Sequence, residues 1–254
     1  MSFPTVVGLN YGDEKVVSST DRGRALGTRG TTPDGRVFRW AQCGGVDIAA
    51  GMVCQTAAEH GASALTANIK AVSSAIASGL STLSFTAGAS GLSTGVAKNQ
   101  YKDGYLTIDT PPGEGSVYRI AGNDSGSSLV EAEFRLAEPF REALSSVTEF
   151  GIRRNPYTSV IIQPTTKTGV SIGVTPADIA TTEFFWLQTW GWCTIQADAE
   201  VAAGTTFTIG ATAGNIAAQA SGAGDVAEPI LGWAPTAGAQ GTDKPQWVYL
   251  MIAP

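Results

Sequence analysis

The stretch Glu183-Phe184-Phe185-Trp186-Leu187-Gln188-Thr189, resumed after Gly191 as Trp192-Cys193-Thr194-Ile195, is the most apolar in the chain and decides how the fold is read. Three aromatic side chains and a leucine stand in a row, too short a run for a buried helix, so they read as core strands. Left in water, such a run is an aggregation hazard. Phe185, Trp186 and Leu187 are therefore expected in a buried strand or a subunit contact.

Working outward, the same texture repeats. Toward the C-terminus, Thr205 to Ile209, Ile230 to Trp233 and Trp247 to Ile252 are short apolar runs bounded by Gly, Pro, Asn or Asp. Toward the N-terminus come Gly169 to Val174, Val160 to Gln163, Leu129 to Leu136, Val117 to Ala121, Tyr105 to Asp109 and Leu80 to Phe85. Arg36-Val37-Phe38-Arg39-Trp40 alternates polar and apolar residues after the Asp34-Gly35 turn signal and marks the first strand. Ile48 to Val53 is open to a short helix or a glycine-bent strand, and the strand is preferred. About a dozen turn-bounded strands are the signature of a sandwich or barrel. The fold class is thus all-β, sandwich- or barrel-like, with at most one substantial helix. That helix is expected over 62–78, where Leu65, Ile69, Val72 and Ile76 recur on one face.

Residues 1–35 carry few periodic apolar positions and much turn chemistry, so they read as an extended N-terminal arm. The expected division is this arm, a β domain over 36–180 and a C-terminal β domain over 181–254. Residues 1–40 hold six basic and four acidic side chains, a net of +2, which leaves 10 basic against 18 acidic, or −8, for the rest. An arm of that sign suits an acidic neighbouring subunit, with Arg22, Arg24 and Arg29 as candidate contacts. A solvated, flexible tail is the other reading.

Charged residues make up only 15% against the roughly 25% usual in soluble domains. Gly, Ala, Ser and Thr must then build much of the surface, which suits a subunit packed against copies of itself or a lattice. The net charge of −6 argues against nucleic acid as the main partner. No apolar run is long enough to span a bilayer, and Met1-Ser2-Phe3-Pro4 lacks the features of a signal peptide, so synthesis in a cytoplasm and no membrane partner are expected.

The residues of catalysis are sparse. His60 is the only histidine, and no Gly-x-Ser-x-Gly elbow accompanies it. Cys43, Cys54 and Cys193 form no CxxC pair and fit no zinc spacing; they read as buried structural thiols. The pairs Asp13 with Glu14, Glu131 with Glu133 and Asp198 with Glu200 have the composition of glycosidase carboxylates, but such spacing is equally the mark of a solvated strand face. Asn123-Asp124-Ser125 matches a glycosylation acceptor and reads as a turn. No enzyme, no cofactor and no metal site are expected.

Six Trp remain: Trp40, Trp186, Trp190, Trp192, Trp233 and Trp247. Five lie in or beside the C-terminal apolar runs, which favours core packing or subunit contact and makes Phe185, Trp186 and Trp190 candidate assembly contacts. The alternative is a carbohydrate-binding or host-recognition module with Trp190 or Trp233 as stacking platform.

Through Leu26-Gly27-Thr28, Asp34 to Trp40, Asn155-Pro156-Tyr157 and Phe185 to Thr189, the chain resembles virion proteins of tailed phages. The order of strand, Ala202-Ala203-Gly204 bend, strand, linker, Ile230-Leu231-Gly232-Trp233, second linker and final strand Val248 to Ile252 is similar to head decoration proteins of the lambda type. That resemblance implies a non-enzymatic capsid decoration or cement subunit on the virion surface, a homotrimer, and the major capsid protein lattice as partner. The chain is much longer than such a module.

Overall fold

A computed structural model describes residues 6–57, 75–86, 96–126, 131–166, 168–219, 229–237 and 244–254. The chain is all-β, built of barrel and half-barrel sheets. In chain order the strands are β1 (Val6–Gly8), β2 (Arg29–Thr31), β3 (Val37–Gln42), β4 (Val53–Gln55), β5 (Thr82–Thr86), β6 (Tyr105–Ile108), β7 (Val117–Asn123), β8 (Glu131–Leu136), β9 (Phe150–Arg153), β10 (Ile161–Ile162), β11 (Ser171–Val174), β12 (Phe184–Ala197), β13 (Thr206–Ile209), β14 (Ile216–Ala218), β15 (Gly232–Trp233) and β16 (Lys244–Met251). Among the described residues the helical element is one 3-10 turn, Asp13–Lys15. Most of the helix expected over 62–78 lies outside the described residues; at its described end, Ile76 pairs with Leu144 in a β-bridge.

The chain forms two compact units, Met1–Ala57 with Pro156–Pro254, and Ala58–Asn155 inserted between them. This differs from the division expected at 35 and 180. A boundary near 180 would part β11 from β12, yet Val174 pairs with Gln188. The inserted unit is one antiparallel sheet in the order β5-β8-β7-β6-β9. Its interior mixes aliphatic and aromatic side chains, with Tyr118 and Phe140 edge to face at 5.0 Å.

The first unit is organised by β12, whose fourteen residues run through its eleven-stranded sheet. Its first half pairs with β3, placing Trp186 opposite Trp40, and with β11, which pairs with β4, itself the partner of β10. Both faces of this half are covered. Phe184 and Trp186 pack with Leu9, Phe38 and Trp40, while Phe185 and Leu187 pack with Ala41, Cys54, Val160 and Ile172. That is why the run shows no polar alternation. Its second half pairs with β16 over Trp190–Ala197, and the strand order β12-β14-β13-β15-β16 returns to β12 as a closed barrel filled by Ile195, Phe207, Ile216, Val248 and Leu250. Closure removes the free edges of an open sheet.

The two halves meet at a bulge between Gln188 and Trp190 and at Gly191, whose φ is +93°. An added Cβ there would also crowd Arg36 Cα at 3.2 Å, so a side chain is strained by conformation and tight in space.

Residues 6–35 are not an extended arm. β1 runs parallel to β2, β2 pairs with β3, and Leu9 is buried against Trp40 and Trp186. Few apolar residues suffice, because the segment is ordered by the main-chain ladder of its own chain. Phe185 and Trp186, expected as candidate assembly contacts, are interior at 1% and 2% exposure.

The β13–β14 loop is tied down by Asp198. Its carboxylate accepts N–H from Ala211 and from Thr212 (3.1 Å) and the Asn215 Nδ2 amide (3.0 Å). Partial burial alone would raise its pKa, but these hydrogen bonds outweigh it and hold the group below its ordinary value.

Two predictions follow from this packing. Trp186→Ala should cost about 3–5 kcal/mol in chemical denaturation, the usual range for a buried Trp. Asp198→Asn should lower the melting temperature at pH 7. Because the folded pKa is depressed, the stabilising term is present above the unfolded value of about 3.9 and fades as pH falls toward the folded value. The gap between wild type and variant should therefore narrow below about pH 4, as read by thermal scans across pH.

Candidate functional site

Beyond the bulge, alternation along β12 and β16 sorts side chains by barrel wall. Ile195, Ala197, Val248 and Leu250 point inward. Trp192 and Thr194 lie outside, opposite Tyr249 and Trp247 in register, and Trp233 on β15 pairs with Tyr249. The outer wall is therefore a continuous sheet of rings. Trp192 stacks on Trp247 (4.4 Å, 19°) and meets Tyr249 edge-on (4.9 Å), Trp233 stacks on Tyr249 (5.5 Å, 20°), and Trp190 meets Tyr249 edge-on (5.8 Å). Trp192 and Trp247 remain 37% and 48% exposed.

These two rings border a cleft of about 410 Å³ whose lining includes Glu14, Lys15, Asp34, Arg36, Gln188 and Gln196. The elements that place these side chains are the 3-10 turn, the β2–β3 hairpin and β12. Arg36 donates to Asp34 (2.8 Å) and to the buried Glu14 (3.3 Å), which also accepts from Gly12 N (2.6 Å). Asp34 is held below its ordinary pKa: its slight burial is outweighed by hydrogen bonds from Thr32 and Arg36. Gln188 Nε2 donates to the carbonyls of Trp190 (3.2 Å) and Trp192 (2.9 Å), fixing the bulge that aims both rings. Gln196 Oε1 is buried in the lining without a hydrogen-bond partner.

Of the residues singled out in the sequence, the structure joins few. Arg24 lies over Trp40 (5.2 Å) and Trp186 (5.6 Å). Arg22 is exposed in a turn at φ +51°, and Arg29 stands on β2 opposite Arg39. Trp190 and Trp233, the two platforms foreseen for sugars, are half-buried supports of the ring sheet, and Trp247 is its open member. Of the carboxylates paired in the sequence, Glu14 is bound to Arg36, Asp198 to its loop and Glu133 to Arg135. Asn123 is buried, its amide donating to the carbonyls of Ala97 and Asp124. His60 lies outside the described residues.

Among the described residues there is no group of three metal-ligating side chains and no helix long and apolar enough to cross a membrane. Comparison with known proteins gives no match, whether to family models, curated proteins or solved structures.

The thiols are chemically quiet. Burial raises the pKa of Cys43 and Cys54, and pushes that of Cys193 up to about 12. The thiolate is the reactive form. At pH 8 the native protein should therefore resist alkylation by iodoacetamide at all three positions and react fully only in denaturant, as intact-mass spectrometry would show.

Proposed function

We propose that the chain is a non-enzymatic structural subunit of a virion, decorating a capsid surface and associating with itself and with the capsid lattice. The observation that carries this reading is a free edge of the first unit. Strand β1 has one neighbour, β2, among the described residues, and Val6 on it is 46% exposed. Unpaired edges are templates for another chain. Within residues 6–35, Arg22, Arg24 and Arg29 take part in no ion pair among the described residues, on a chain whose residues beyond 40 sum to −8. Unpaired basic side chains on an acidic body are complementary to a second acidic surface, whether a copy of itself or a shell protein.

Further support comes from the segment that resembles lambda-type decoration proteins, which is the part of the chain that closes into the barrel from β12 to β16. The resemblance favours a trimer. The low charge of the chain agrees with a surface that is largely covered in use.

The test is charge reversal, since β1 and β2 belong to the fold and cannot be deleted. The double variant Arg22→Glu, Arg29→Glu should keep its melting temperature within a few degrees. It should lose self-association in sedimentation velocity and binding to undecorated heads in co-sedimentation. Wild-type association should weaken from 0.15 M to 1 M salt, as the screening length falls from about 8 to 3 Å. Unchanged association and salt dependence in the variant would overturn the assignment of this edge.

A further inference from the structure

We propose that the cleft bordered by Trp192 and Trp247 binds a short neutral saccharide, a capacity that uses other residues than Arg22, Arg24 and Arg29 and does not depend on the assembly role. Three observations converge there. The first is shape: at about 410 Å³ the cleft falls in the size range of small-ligand sites, and it combines aromatic walls with a few fixed polar groups. The second is the platform. Trp247 is held against Trp192 at 4.4 Å and still exposes 48% of its surface, so one large ring is presented to solvent on a rigid support. An aromatic face carries negative potential and attracts the weakly positive C–H face of a pyranose ring, while the hydroxyls at that ring's rim stay free to hydrogen-bond. The third is the buried Gln196 carbonyl. Its Oε1 has no accessible surface and no partner, so a ligand hydroxyl reaches it when the side chain turns its amide into the cleft, and that bond then removes the cost of an unpaired acceptor.

The charges of the lining select among ligands. Glu14 and Asp34 oppose Lys15 and Arg36, two against two, so the cleft has no net charge to hold a phosphate or an acidic sugar. Arg36, already donating to both carboxylates, is not an open anion site. A proline-rich peptide also packs on Trp, but proline brings no N–H to the unpaired Gln196 carbonyl, whereas every sugar hydroxyl is a donor.

The experiment uses the full chain on an array of neutral and acidic glycans. Calorimetric titration follows with the neutral cello-, malto- and chito-oligosaccharides that score, with sialyllactose and a polyproline peptide as comparators. Saturable binding of a neutral oligosaccharide is expected, weakened about tenfold by Trp247→Ala and by Gln196→Leu. Gln196→Leu should keep or raise the melting temperature, because it removes an unsatisfied acceptor, so loss of binding cannot be ascribed to unfolding. Arg22→Glu, Arg29→Glu should bind sugar normally, and Trp247→Ala should self-associate normally. The proposal falls if no neutral glycan binds, if sialyllactose or polyproline is preferred, or if both cleft substitutions leave affinity unchanged.

Discussion

The bend in β12 at Gly191 governs the first unit. Before it, the strand lies between two apolar layers; after it, the strand is one stave of a closed barrel. The backbone can turn there because glycine accepts φ +93°, and it stays turned because the Gln188 amide holds the carbonyls of Trp190 and Trp192. Space at the bend is taken by Arg36, which is in turn fixed by Asp34 and Glu14. One constraint thus joins the β2–β3 hairpin, the 3-10 turn and the barrel, and the cleft is the hollow that these pieces enclose. Its geometry follows from folding the bend.

The sequence discloses the strands that have side chains to announce them. β3, β6, β7, β11, β13 and β16 coincide closely with the apolar runs read between turn residues. Val-Val-Gly, Arg-Gly-Thr and Ile-Ala-Ala, which form β1, β2 and β14, carry no such pattern, and Phe150–Arg153 is too short to stand out. These strands exist because a neighbour offers hydrogen bonds, which is information that a local window does not hold. The insertion of 58–155 is hidden for the same reason: its ends are brought together by β4 pairing with β10 and β11, far apart in sequence.

The ring sheet was half legible. The count of six Trp and their place in C-terminal strands are plain in the sequence, but which of them face solvent depends on a one-residue bulge that shifts the parity of β12 after Gln188. Trp186 lies before the shift and is buried; Trp192 lies after it and is exposed. The roles of Gln196 and Arg36 carry no sequence signal, since they arise from the cleft around them.

The barrel and its outer wall are energetically separable. Ile195, Phe207, Ile216, Val248 and Leu250 fill the interior and supply the burial that closes it. The outer rings contribute by covering one another, yet this leaves Trp192 and Trp247 with large exposed faces at a cost that smaller polar residues on the same strands would avoid. Stacking between the two rings offsets part of that cost and orients them, but it does not require them to be open to solvent. Folding therefore explains why these strands are strands, and leaves the identity of the residues on their outer face to be explained by what that face meets.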